Sequence, residues 1–374
     1  LKTASECIPF VGTDFRKPLE GCLRKISAAI GEPSFILMAW SGSIDCQSLQ
    51  RHCKKIFPCP FVGVQTPAFF TQKGLMTDGL GIWAVAGEDI TASTLVLDDL
   101  SEDSWISGEK AAERFLEKNP KPGTFIHFPE FFSFDTSSFL HGFHGRTGPG
   151  FRHVGGMVNS KSAGGNCYFT EKGGGDKGGV IALIEGLSME TDSAHGFSAI
   201  GVPVILTKTE GTRILELDFM PAAERYKDVI RAATGNEVED IALYPLGIPG
   251  YDGRLLVRDL AGLNEDGSIQ CGSRIPELSP LSILSGTITG LLEETEDMCE
   301  KLKSGDRKPR FALAFDCVTR AALLKDRLQD ELALVKDGLH DTESLWGILS
   351  CGEICDTFGS PMFLNKSLAV GFGG

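Results

Sequence analysis

Three stretches of the chain repeat one plan: a short apolar strand, a linker with a helix, a Val-Gly or Trp-Gly step, a glycine-bearing turn and a second apolar strand. The first copy runs from Phe35-Ile36-Leu37-Met38-Ala39-Trp40 through Phe61-Val62-Gly63-Val64 to Leu80-Gly81-Ile82-Trp83-Ala84-Val85. The second runs from Thr124-Phe125-Ile126-His127-Phe128 through His153-Val154-Gly155-Gly156 to Gly179-Val180-Ile181-Ala182-Leu183-Ile184. The third runs from Phe311-Ala312-Leu313-Ala314-Phe315 through Leu345-Trp346-Gly347-Ile348-Leu349 to Leu368-Ala369-Val370-Gly371. A repeat of long period marks duplicated supersecondary units that bury one another's apolar faces. The expected architecture is α+β, with mixed β-sheets covered by helices and built from repeated strand–helix–strand units. The copies differ mainly in the polar residues after the glycine step, where a ligand-recognition module would diverge.

At 374 residues the chain is long enough for two coupled domains. A change in character near Met220 sets them at 1–220 and 221–374. The net charge of -14 argues against a nucleic-acid surface, which needs clustered Lys and Arg. The 11 cysteines are odd in number and scattered. Cys351 and Cys355, like Cys53 and Cys59, miss the spacing of a zinc knuckle, so free thiols in a reducing cytoplasm and no metal are expected. No apolar run of about 18 residues exists, and no membrane span is expected. The chain lacks a starting Met and stops just after a strand, as a piece of a longer polypeptide would.

Apolar spacing predicts a helix through Ile30, and Asp45 is placed to cap another over 46–57. Ser107 is the expected cap of a helix over 108–118. The segment 142–179, with Gly164-Gly165 and Gly173-Gly174-Gly175, reads as containing a mobile loop. Beyond it, 202–207 and 213–217 form a hairpin, Pro221 opens a helix, and 254–259 with 268–272 form a second hairpin. Helices follow over 283–302 and 321–334.

In this order the elements resemble the FIST domain family, from Phe35 to the end. The motifs are His195-Gly196-Phe197-Ser198-Ala199-Ile200-Gly201 before Val204-Ile205-Leu206-Thr207, and Leu217-Asp218 before Pro221-Ala222-Ala223-Glu224-Arg225-Tyr226. Val257-Arg258 with Asp266-Gly267 and Cys271-Gly272 is similar to the family's hairpin, and Phe315-Asp316-Cys317-Val318-Thr319-Arg320 to its strand-end Cys-x-x-Arg. Cys351-Gly352-Glu353-Ile354 with Asn365-Lys366-Ser367-Leu368 resembles its closing pair. The first glycine step departs from the family: Pro67, Phe69 and Phe70 make it stiff and apolar, and no binding role is expected there. The second, Gly155-Gly156-Met157-Val158-Asn159-Ser160, stays small and polar. The resemblance implies intracellular sensing of small ligands, amino acids among them, coupled to a signalling protein partner. Some members are haem-binding nitric-oxide sensors, and others are F-box proteins that recruit substrates for ubiquitin ligation.

The expected ligand-binding residues are Gly156, Asn159, Ser160, Cys317, Arg320, Cys351, Glu353 and Asn365, around a pocket where the halves meet. A guanidinium at Arg320 suits a ligand carboxylate and an acid at Glu353 suits an ammonium, a small polar metabolite offering both. The competing reading gives each an internal partner. Cys317 and Cys351 have no base tied to them, and neither a hydrolase elbow nor a Walker lysine occurs, so no catalytic residue and no enzyme are expected. His141, His144 and His153 are the candidates for an axial haem ligand, without an attachment motif. A protein-interaction scaffold, its pocket filled by Phe69 and Phe70, is the remaining alternative.

Overall fold

The computed structural model describes residues 1–9, 15–160, 167–250, 253–304, 309–339, 342–357 and 359–374. Each repeat builds its own sheet on the same plan. In the first, Phe35–Ser41 runs parallel to Phe61–Gln65 through the crossover helix Cys46–Ile56. Gly79–Ala86 returns antiparallel on the other side of Phe35–Ser41, and Lys2–Ile8 pairs with it at the edge. The corresponding strands of the second repeat are Gly123–Pro129, Arg152–Gly156, Gly179–Glu185 and Thr91–Val96. Those of the third are Phe311–Cys317, Ser344–Ser350, Leu368–Gly373 and Glu190–Ala194. Parallel neighbours demand a crossover, which is why each repeat carries a helix at that point.

The repeats are held together by exchange of hairpins. Phe69–Thr71 and Gly74–Met76 of the first repeat leave their own sheet and pair with Ser344–Ser350 of the third. Tyr168–Thr170 and Gly174–Gly175 of the second extend the first repeat's sheet at Phe61–Gln65. Glu353–Thr357 and Ser360–Leu364 of the third extend the second repeat's sheet at Arg152–Gly156. Each repeat thus lends one hairpin and receives one, and the circle closes after three, as a heterologous ring of subunits would. The exchange also covers one edge of every sheet, where unpaired backbone would otherwise be exposed.

Alternation along the strands sorts residues between two kinds of core. Leu37, Ala39, Ile126, Phe128, Leu313 and Phe315 point inward and meet in one central core shared by the three sheets. Ile36, Met38 and Trp40 point outward onto the helices Arg16–Ile30 and Cys46–Ile56. Phe125 and Ile181 do the same under Ser104–Leu116 and Thr136–Thr147. Burial on both faces explains why these strands read as continuous apolar runs. Between Glu190–Ala194 and the helix Ile288–Ser304, the third repeat carries a large insertion. An eight-stranded sheet fills it, with the helix Ala222–Thr234 packed on one side.

Several sequence expectations change. Lys2–Ile8 is an edge strand, because Gly79–Ala86 offers it a free backbone. The helix expected after Ser107 starts at Ser104, where Asp103 accepts from the amides of Trp105 and Ile106. Ile269–Cys271 pairs with Leu260–Leu263, whereas Leu255–Arg258 pairs with Leu246–Pro249, so the second expected hairpin is divided between two partners. Pro280–Gly286 is a strand, and the helix begins only at Ile288. A short apolar run fits either state until its neighbours choose. The helix after Cys317 is broken at Lys325, whose φ is 52°. Gly164 and Gly165 lie outside the described residues, and Gly174–Gly175 belongs to an exchanged hairpin.

Candidate functional site

Three turns from three repeats converge where the hairpins leave their sheets. Thr66 donates its backbone N–H to Trp40 and its hydroxyl to the carbonyls of Ala68 (2.9 Å) and Leu349 (2.6 Å), joining the first repeat to the third. Cys351 and Met157 exchange backbone contacts, with Cys351 N donating to Met157 O at 3.0 Å and Met157 N to Gly352 O at 2.8 Å. Ser41, the last residue of its strand, donates to the carbonyls of Pro67 (2.7 Å) and Thr77 (2.8 Å). Gly42 follows at φ 88°, and a Cβ there would run into the Asp78 carboxylate, so the tight approach requires glycine.

These joints wall a cavity of about 510 Å³. Ser43 and Asp45 contribute from the start of the helix Cys46–Ile56, Gln65 and Pro67 from the first glycine step, Asn159 from the second, and Leu349 and Cys351 from the third. Asn159 hydrogen-bonds the Cys351 thiol. Burial pushes that thiol up to about 11, with Asn159 pulling the other way, so it is a protonated lining group at neutral pH. Among the described lining residues Asp45 is the only carboxylate, and none is Lys, Arg or His.

Of the eight expected site residues, the structure brings Asn159 and Cys351 together at this cavity. Gly156 is packing: a Cβ there would lie 2.7 Å from that of Ser350. Ser160 donates its hydroxyl to Glu130 at 2.9 Å. Asn365 accepts from the Asp259 amide, and the Cys317 thiol lies 3.1 Å from the Thr319 hydroxyl. Conversely, the first glycine step, from which no binding role was expected, lies on the wall. Phe69 and Phe70 occupy the cores and not the cavity. The missed residues Ser41 to Asp45 carried one signal, a Ser-Gly-Ser turn at the carboxyl end of a buried parallel strand.

Arg320 and Glu353 belong to a buried ionic cluster. Arg320 is fully buried; its guanidinium donates to Glu331 (2.7 and 2.9 Å), the Thr295 hydroxyl (3.0 Å) and the carbonyls of His195 (2.7 Å) and Leu291 (2.8 Å). Glu353 accepts from the Ser350 hydroxyl at 3.0 Å. Asp316 lies between them, fully buried, and neither of its oxygens meets a donor among the described residues. Burial, reinforced by Glu331, holds its carboxyl well above the usual range, and burial does the same to Glu353. Asp316 thus keeps its proton in the fold at pH values where the unfolded chain has lost it. That difference penalises folding increasingly as pH rises above about 4, by at most about 1.4 kcal/mol per pH unit. Asp316→Asn should therefore gain stability over the parent between pH 5 and 8, read as a urea-midpoint difference that widens with pH. Parallel midpoint curves would contradict a retained proton.

His153 stacks on the Phe125 ring at 5.4 Å and meets the Phe143 ring edge-on at 5.9 Å, its Nδ1 3.0 Å from His127 Nε2, and both imidazoles are buried. Burial pushes His127 down to about 3 and His153 well below its ordinary value, so both are neutral. His153 is fully buried in this ring cluster and offers no exposed edge to a porphyrin. Among the described residues no group of three or more His, Cys, Asp or Glu could hold a metal ion. No helix there is long and apolar enough to cross a membrane.

The FIST N domain family model matches residues 34–220 and the FIST C domain model matches residues 222–356. The chain belongs to the FIST family. FIST domains are sensory domains of signalling proteins. The cavity lies within the FIST-matched residues, and the insertion supplies much of the FIST C segment. No curated protein matches the chain. A solved chorismatase structure is similar at a TM-score of 0.37 and 10% identity, over 100% of this chain and 99% of that one.

Proposed function

We propose that this FIST protein senses a small polar metabolite carrying a protonated amine, an amino acid being the first to test, at the cavity where the three repeats meet. The observation that carries the reading is the convergence of all three repeats on one cavity. A ligand there touches every joint of the ring, so binding energy can bias how the repeats sit and hence what a signalling protein partner meets. Asp45 sits exposed at the cavity and caps the helix through the Gln47 amide (3.2 Å) with no cation beside it among the described lining residues, so its remaining oxygen favours an ammonium over an anion. Gln65, Asn159 and backbone groups would read the remaining polar atoms.

The role proposed for this cavity is binding. The protonated Cys351 thiol has no base on the described walls to activate it. All 11 cysteines are free, which suits a reducing cytoplasm. The scaffold alternative draws on one observation: Phe219 and Leu278, 82% and 73% exposed, both adopt positive φ on the insertion. That patch is the expected contact for the signalling partner.

Calorimetry with amino acids and simple amines should give a saturable heat. Asp45→Asn should weaken it about tenfold, the order expected for a charge-assisted hydrogen bond. Silence across the panel, or an Asp45→Asn variant with unchanged affinity, would refute the amine reading.

A further inference from the structure

A second cavity, of about 560 Å³, lies between the helix Thr136–Thr147 of the second repeat and the sheet of the insertion. Its polar chemistry is the reverse of the first. Arg258 and Arg274 line it, with His141 and Ser137, against Asp135 as the one carboxylate among the described lining residues. Trp105, Ile248, Leu256, Ile275 and Met362 supply apolar wall.

Arg258 is the unusual group. It is 4% exposed, and one guanidinium nitrogen donates to the carbonyls of Val257 (3.1 Å) and Phe363 (2.9 Å). Its Nε has no partner among the described residues. The guanidinium lies 5.9 Å from the Phe363 ring centroid. Burial pulls it down to about 10, so it remains a cation at neutral pH. A buried cation is ordinarily matched by a carboxylate in contact. Among the described residues no carboxylate lies within 4 Å of it, and Asp135, whose charge reaches it, turns Oδ1 to cap its own helix, accepting from the amides of Ser137 (3.1 Å) and Ser138 (3.3 Å). Independently, the Ser137 hydroxyl on the same wall is buried without a partner. A buried cation with an unpartnered Nε–H and no carboxylate in contact, beside an unpartnered hydroxyl and an apolar wall, describes the complement of a specific ligand.

We propose that this cavity binds a small organic monocarboxylate with an apolar body, its carboxylate held by Arg258, Arg274 and Ser137. The two arginines exceed Asp135 by one charge, which suits one negative charge on the ligand. The walls come from the second repeat, the insertion and the third repeat's exchanged hairpin at Met362, so an occupant bridges the insertion to the ring. The cavity also shares Trp105, Asp135, Ser138, Gly211 and Arg274 with a larger cleft of about 950 Å³, which gives a route of entry.

The test is calorimetry with phenylacetate, with phenylacetamide as uncharged isostere and with inorganic phosphate. Phenylacetate should bind saturably, and phenylacetamide at least tenfold more weakly. The exposed Arg274→Ala should weaken phenylacetate about tenfold. Ser138→Phe, which fills the cavity from the helix, should abolish binding with the thermal melt unchanged. Arg258→Met is informative only if it folds, and the other two variants carry the test without it. Asp45→Asn should leave phenylacetate binding as it is, which separates this site from the cavity between the repeats. Absence of saturable heat, equal binding of the amide, binding of phosphate alone, or binding indifferent to both Arg274→Ala and Ser138→Phe would each overturn the proposal.

Discussion

Replacing Arg320 with methionine should destabilise the fold by about 3–5 kcal/mol, the usual consequence of leaving a buried partner charge uncompensated. The guanidinium neutralises Glu331 and also satisfies the carbonyls of His195 and Leu291. His195 lies at the start of the insertion, Leu291 on the helix that follows it, and Arg320 in the helix Val318–Leu324 just past the third repeat's first strand. One side chain therefore ties the insertion to the ring. Adding Glu331→Gln should recover part of the loss, because the second charge then disappears with the first. Urea denaturation of the two single variants and the double variant should give a coupling of about 1–3 kcal/mol. A loss below about 1 kcal/mol in Arg320→Met would mean that the guanidinium is not structural, and would return it to the ligand-clamp role.

Trp346→Ala should cost a comparable 3–5 kcal/mol. Trp346 is fully buried in the central core, meets the Phe315 ring edge-on at 6.3 Å, and donates its indole N–H to the Gly81 carbonyl at 3.0 Å. That bond crosses from the third repeat to the first beside the exchanged hairpin at Phe69–Thr71. The variant should thus lose hydrogen-exchange protection first at Phe69–Thr71 and Gly74–Met76, with Trp346→Phe intermediate. Uniform loss across all three sheets would show that the exchanged hairpin is not a separately weakened joint.

The buried ionic cluster and the cavity between the repeats separate two kinds of polar residue that look alike in a linear chain. Arg320 lies in the first turn of a helix just past a strand and Glu353 opens a strand after a glycine, where ligand-gripping groups often sit. Internal partners take them instead: Glu331 holds Arg320, and the Ser350 hydroxyl and Ser367 amide donate to Glu353. Asn159 and Cys351 occupy matching positions, each four residues past the glycine of its Val-Gly or Trp-Gly step, and they do reach a cavity. Position within a repeat was therefore readable, but direction was not: a residue's outlook depends on which other repeat packs over it. The Pro67 turn shows the same limit from the other side. Its stiff, apolar residues suggested filler, yet Phe69 and Phe70 are carried away with the exchanged hairpin and leave Gln65 and Thr66 at the cavity.

Local pattern was enough to establish the three strand–helix–strand units, their apolar strands and the α+β class, because period and burial are written into consecutive residues. The family's motifs were legible for the same reason, each being a short run. Hairpin exchange, the common core and both cavities depend on contacts between residues such as Thr66 and Leu349, which lie far apart along the chain. Backbone pairing carries no address in the sequence of one strand, so the partner of each hairpin emerged only when three sheets closed around one core.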